Sequence, residues 1–370
     1  MKVLFIHNYS VDSDWHLWQT ERKTKCPTHY LWGITHLYHY DIDVKVLPYE
    51  KYTLLKKIGY LLKLGDLDHQ LRIFLGQADY DVVYSACQTG TIVLSILRVL
   101  GLFHKPLVVK LERPFRVNFL SRILLKIFFD GHDKIICLSD RVQSQLINEF
   151  EISEEKVPLL NWGPDLKYYD NEATVLLDPK EHESQFILSA GSTSRDYKTL
   201  AEASHLINYP IRIYCSESSA PKDISLPPNV SVQYRKNSTE PRALSFDELL
   251  REYIKASAVA IPLEIPKKRA DITTLIGLTS LLEAMVMGKA VIMTKHRQIN
   301  IDIEKEEIGI WVEPGDVNSW QRALSYLIEH PQKIKEMGVS ARKLCETKFN
   351  LDLFSQELAM QLKRAVYNKD

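Results

Sequence analysis

Between Gly277 and Met293 the chain reads GLTSLLEAMVMGKAVIM, and its one carboxylate, Glu283, sits among Leu281, Leu282, Ala284, Met285 and Val286. A carboxylate on so apolar a helix is costly without a partner, so Glu283 is expected to face something polar. The helix opens on a glycine turn, Gly277-Leu278-Thr279-Ser280. A second turn, Ala190-Gly191-Ser192-Thr193-Ser194-Arg195, leaves a strand and carries Arg195 and Lys198 into another helix. Backbone amides, hydroxyls and an arginine at a helix N-terminus suit an anion, although a capped helix with solvated charges uses the same residues. Two such turns in one half of the chain suggest a diphosphate. The chain has no GxxxxGKS/T loop, and GxGxxG is missing after the first strand, which weakens P-loop and dinucleotide readings.

The first half offers a different set of groups. The stretch Asn8–Lys25 reads as a loop carrying Trp15, His16 and Trp18. A helix expected from Pro27 presents His29, Tyr30 and Trp32, with Leu31, Ile34, Leu37 and Tyr38 at helical spacing. Aromatic faces beside a strand end make sugar platforms, and they pack loops equally well.

These groups need a scaffold, and the sequence supplies one by alternation. Short β-branched runs at Val3–Ile6, Asp43–Leu47, Asp81–Tyr84, Leu107–Lys110 and Lys134–Leu138 are each followed by a helix-like stretch. The alternation breaks in a polar run near residue 175. It resumes at Phe186–Ser189, Ile211–Cys215, Val230–Tyr234, Ala258–Ile261, Ala290–Met293 and Gly309–Val312. Such patterns imply parallel sheets covered on both faces, here in two doubly wound α/β domains. At 370 residues two domains are also the default. Lys and Arg balance Asp and Glu at 47 each, which removes the basic footprint of a nucleic-acid binder. Five dispersed cysteines, none in a CxxC pair, suit a reducing compartment. With no signal peptide or membrane span in the pattern, a cytoplasmic protein is expected.

The second half resembles the donor domain of GT-B glycosyltransferases, in particular the large retaining family known as glycosyltransferase family 4, or glycosyl transferases group 1. LSAGSTSRDYKTLAEA is similar to that family's diphosphate loop, and GLTSLLEAMVMGKAVIMT to its G…LLEAMA.G.PVI segment. GIWVEPGD and the helices after it resemble the family's tail. In the first half, DKIICLSDRVQSQLINEFEISEEKVPLLNWGPD is similar to a further segment, with Asn161, Gly163 and Asp165 as matching residues. The resemblance implies two Rossmann-like domains facing across a cleft: an acceptor domain over 1–170, a donor domain over 171–350, and a C-terminal helix over 351–370 packing back on the first. It implies transfer of a sugar from a nucleoside diphosphate sugar to a hydroxyl with retention, without metal or cofactor. Glu283 then matches the family's ribose-binding glutamate, and Arg195 the cation that stabilises the leaving diphosphate.

Three departures accompany the match. Leu275 stands where the family's first glutamate is usual, so sugar contacts must come from elsewhere, such as Glu264 or Asp271, while Lys267, Lys268 or Arg269 serve the diphosphate or are simply solvated. Ser192 replaces an arginine. Glu112 occupies a histidine position, where it contacts sugar or forms a salt bridge to Arg113 or Arg116. The acceptor, a sugar, glycan or glycolipid, is expected at Trp15, His16, His29 and Trp32. Two basic amphipathic stretches, Lys51–Lys63 and Arg113–Phe129, are of the kind that lies on the inner face of a membrane, although a core-facing helix is the simpler reading of the second.

Overall fold

The computed structural model describes residues 1–22, 24, 26–116, 119–176, 185–236, 243–266 and 274–367. The chain forms two compact units, Met1–Trp162 with Leu351–Asp370, and Gly163–Asn350.

The first unit is a five-stranded parallel sheet. Its strands are β1 (Lys2–Ile6), β2 (Asp43–Val46), β3 (Val82–Ser85), β4 (Leu107–Leu111) and β5 (Lys134–Cys137), in spatial order β2-β1-β3-β4-β5. β3, β4 and β5 are buried at every position, as strands covered on both faces must be. The helices are α1 (Asp12–Glu21), α2 (Thr53–Leu61), α3 (Leu67–Leu75), α4 (Ile92–Val99), α5 (Phe119–Asp130) and α6 (Asp140–Phe150).

The second unit has six parallel strands. They are β6 (Ile187–Gly191), β7 (Ile211–Cys215), β8 (Val230–Gln233), β9 (Ala258–Ile261), β10 (Ala290–Thr294) and β11 (Gly309–Val312), ordered β11-β10-β9-β6-β7-β8. Its helices are α7 (Leu166–Leu176), α8 (Tyr197–Ala203), α9 (Phe246–Lys255), α10 (Leu278–Val286), α11 (Val317–Glu329) and α12 (Pro331–Thr347). The last helix of the chain, α13 (Leu351–Tyr367), packs against β3, β4 and β5 of the first unit.

Both sheets reverse their winding beside the first strand of the unit, between β1 and β3 and between β6 and β9. The loops leaving such a pair diverge and open a crevice at the carboxyl ends, where ligands of doubly wound sheets bind.

Two local expectations fail near the N-terminus. The stretch 8–25 is not all loop, because α1 occupies Asp12–Glu21, with Asp12 and Asp14 in its first turn where the helix dipole favours acids. The helix expected from Pro27 is replaced by two short 3-10 turns, Thr28–Leu31 and Leu37–Tyr40. Trp32 and Gly33 between them take left-handed backbone angles, φ 52° and 84°, which no continuous helix accommodates. A side chain at Gly33 would press on Phe354, Leu358 and Ser355 at 3.1 Å, so the break lets α13 approach.

Candidate functional site

In the second unit the switch point is built around Arg195. β6 ends on Gly191, whose φ of 150° disfavours a side chain. A Cβ there would lie 2.5 Å from the Arg195 guanidinium, so the glycine lets the arginine lie flat across the strand end. Arg195 donates through one terminal nitrogen to the Thr193 carbonyl at 2.8 Å and through the other to Ser280 Oγ at 2.9 Å. Its Nε is buried and has no partner. The loop is tied to the strand beyond the switch point: Asp196 N donates to Pro262 O at 3.2 Å, and Glu264 N to Ser194 O at 2.9 Å.

The second glycine turn meets the first. Gly277 caps α10 with φ 82°, and a Cβ there would come within 2.9 Å of Leu263 and Met293. Leu278 and Ser280 are buried and Thr279 is half-buried. Ser280 Oγ bridges Arg195 and the Ala190 carbonyl, 3.3 Å away. One turn farther along α10, Glu283 is 6% exposed and accepts from the Tyr253 hydroxyl at 3.2 Å. Burial, then the Glu283 carboxylate, push the Tyr253 hydroxyl well above its ordinary range, while Arg195 opposes them. Arg195, Ser280, Tyr253 and Glu283 therefore share one electrostatic neighbourhood. Gly191 and the Ser192 carbonyl, which accepts from Ser216 at 3.3 Å, flank it. Lys198 is exposed and lies 3.9 Å from Glu202 on α8. Lys268 lies outside the described residues, as do Lys267, Arg269 and Asp271.

The carboxyl end of the first unit's sheet has a different make-up. Lys110, on β4, is fully buried, with its Nζ 3.1 Å from the centre of the Trp32 ring. It forms an ion pair with Glu112, whose side chain is 42% exposed. The ion-pair partner of Glu112 is thus Lys110, whereas the sequence offered a bridge to Arg113 or Arg116 as the alternative to a sugar contact. Burial pushes the Lys110 ammonium down and Glu112 pulls it back. Trp32 is itself buried, stacked on Trp162 at 4.6 Å, and its Nε1 donates to Tyr9 Oη at 3.2 Å. Its faces are thus occupied, and the ring seats Lys110 instead of offering an open sugar platform. His29 is buried against Trp162, 5.3 Å between ring centres. His7, just beyond β1, accepts at Nδ1 from Tyr9 N, and burial followed by Lys110 pushes it down to about 2. Trp15 belongs to another group on α1. It stacks on Trp18 at 5.1 Å and lines a cavity of about 530 Å³ with Arg22 and Tyr38. His16 is exposed on the same helix. The four aromatic acceptor candidates are therefore split between two places.

The comparisons with known proteins fit this geometry. The model of the family described as glycosyl transferases group 1 matches residues 277–344, which begin at the Gly277 turn and include Ser280 and Glu283. Three solved structures align over nearly the whole chain. A glycosyltransferase from Rickettsia africae is 15% identical, with a TM-score of 0.65 over 100% of this chain and 99% of its own. Anabaena HepE in complex with UDP is 16% identical, with a TM-score of 0.64 over 98% and 100%. Sucrose-phosphate synthase from Thermosynechococcus elongatus is 14% identical, with a TM-score of 0.65 over 100% and 99%. The fold is GT-B, and the segment that the glycosyl transferases group 1 model matches lies in its second unit. No curated protein sequence matches the chain.

Within this GT-B chain, sequence reading missed Tyr253 and Lys110. Tyr253 lies on α9, 30 residues before the carboxylate it meets, and nothing local marks it. Lys110 left a trace: a lysine inside LVVKL, on a strand flanked by strands, must be buried and therefore paired.

Proposed function

We propose that the protein is a retaining glycosyltransferase that takes a nucleoside diphosphate sugar at the second unit's switch point and an acceptor hydroxyl at the first. The Arg195 guanidinium carries this reading, held between Gly191 and Ser280 with a buried, unpartnered Nε. Three features support it: the matched segment that starts at Gly277, the fold shared with known glycosyltransferases, and the capture of Anabaena HepE with UDP and with UDP-glucose. In the proposed site Arg195, Ser280 and the amides after Gly191 and Gly277 hold the diphosphate. Glu283, oriented by Tyr253, accepts from the ribose hydroxyls.

Fixed positive charge at the leaving group strengthens as the transition state develops and lowers the barrier without a metal ion. The anomeric carbon–oxygen bond breaks, its electron pair leaves with the diphosphate, and the acceptor oxygen bonds the same face. The acceptor proton passes to the leaving phosphate oxygen, so no enzyme nucleophile takes part. Glu112, fixed by Lys110, hydrogen-bonds a sugar hydroxyl, and the acceptor is a sugar, glycan or glycolipid.

A second reading, a GT-B protein that binds nucleotide without turnover, draws on Leu275, half-buried where a family glutamate is usual. Incubation with UDP-, GDP- and ADP-sugars, with release of nucleoside diphosphate monitored, separates the two. Release with one donor supports the transferase, and tight nucleotide binding with no release from any donor supports the alternative.

A further inference from the structure

The segment Lys51–Lys63, KYTLLKKIGYLLK, contains four lysines and no acidic residue. It folds as α2, yet Gly59 is the only residue of that helix that is buried. The reason is local. The turn after the helix folds back under it, with Leu64 N donating to Gly59 O at 2.8 Å. A Cβ on Gly59 would lie 2.2 Å from the Gly65 carbonyl. The helix thus rests on its smallest residue. Leu54, Ile58 and Leu61, spaced i, i+4 and i+7 on one stripe, are 71%, 38% and 81% exposed, and Leu62 is 58% exposed. Tyr52, just ahead of the helix, is 44% exposed. A groove of about 460 Å³ between this segment and α3 is lined by Lys51, Tyr52, Leu55, Leu71, Arg72 and Leu75.

A solvent-facing apolar stripe on a helix without acids is a mismatch with water that a partner must resolve. We infer that α2 docks the first unit onto an anionic bilayer surface. Charge decides the occupant. Lys51, Lys57 and Lys63 are all exposed around the stripe, and Lys56 already has Glu50 at 3.8 Å and Tyr49 beneath it. Leucines enter the acyl boundary and lysines meet phosphates, as in helices that lie in the membrane plane. Among the described residues no helix is long and apolar enough to cross a membrane, so the contact is interfacial. This inference stands independently of the catalytic reading, since it concerns a surface away from both switch points in sequence.

Flotation of the full chain with phosphatidylcholine vesicles, with and without 30 mol% (about a third) phosphatidylglycerol, tests it. Binding is expected to the anionic vesicles and to weaken as salt rises. At about fivefold per lysine, changing Lys51, Lys57 and Lys63 together to Gln lowers partitioning by roughly a hundredfold. Leu54→Asp with Leu61→Asp is expected to abolish it; both positions are exposed, and circular dichroism confirms that the variant folds. Equal binding to neutral and anionic vesicles, or unchanged binding by either variant, overturns the inference. So does sedimentation showing a dimer that the Leu61→Asp change dissociates with no vesicle binding, because the stripe would then face a second copy.

Discussion

The two units share one architecture and treat buried charge in opposite ways near the carboxyl ends of their sheets. At the second unit's switch point a positive group is held with an unused donor: Arg195 spends its terminal nitrogens on Thr193 and Ser280, and its Nε stays unpartnered. In the first unit the positive group is spent entirely within the protein, because Lys110 is enclosed by Trp32 and Glu112. The exposed partner there is the carboxylate. A doubly wound sheet fixes where a site forms, and the side chains beyond the strand ends decide its sign. In the proposed reading one crevice takes an anion, the other hydroxyl groups that donate to a carboxylate.

The strongest way to break this contrast is to remove the positive group from the anion side. Arg195→Ala is expected to lower the rate of sugar transfer by about a hundredfold to a thousandfold, the usual loss on removing one preorganised transition-state donor. Its thermal stability should stay near wild type. A steady-state assay with the donor that turns over checks this, and a loss below fivefold removes Arg195 from the reacting diphosphate.

On the other side the contrast predicts an asymmetry between partners. Glu112→Gln leaves the buried Lys110 without its counter-charge and is expected to cost about 3 kcal/mol of stability in urea unfolding. Lys110→Met leaves Glu112 partly in water, where it is hydrated, and is expected to cost under about 1 kcal/mol. Equal costs would mean that the pair is not set up as described.

Acid tests the interior of both units, because the first encloses His132 and His7 and the second His296, which burial pushes down to about 4. His132 bonds Thr91 Oγ1 at 2.9 Å, and burial pushes it down to about 3; His7 is lower still, at about 2. The folded values lie below the unfolded value near 6.5, so the unfolded chain binds protons first and stability rises with pH. The stabilisation is complete above about pH 6.5 and is lost as pH falls toward 3, by about 1.4 kcal/mol per pH unit for His132. Thermal melts between pH 7 and 4 of wild type and His132→Gln should converge as pH falls. Gly191→Ala gives the smallest effect. The methyl displaces the Arg195 guanidinium, so nucleotide affinity falls about tenfold, the scale of one charge-assisted hydrogen bond, while the fold persists.

Much of this was legible in the sequence, for definite reasons. Among the described residues the eleven strands lie where β-branched runs placed them, because strands buried on both faces need nearly continuous apolar sequence. Gly191, Arg195, Gly277, Ser280 and Glu283 stood out because glycine turns and a lone carboxylate violate local expectation. Helix α1 was hidden, since Trp15 and Trp18 are its only buried residues and too few to set a period. The helix expected after Pro27 failed on Trp32, whose left-handed backbone no propensity announces. The pairings Tyr253–Glu283 and Lys110–Trp32 join residues 30 and 78 positions apart, and only tertiary structure brings them together.

The central claim is that the second unit's switch point binds a nucleoside diphosphate through Arg195 and Glu283. Calorimetric titration of UDP, GDP and ADP into wild type, Arg195→Ala and Glu283→Ala tests it directly. At least one diphosphate should bind wild type and lose tenfold or more in each variant, about 1.4 kcal/mol. Undiminished affinity in both variants, or no binding of any of the three to wild type, would contradict it.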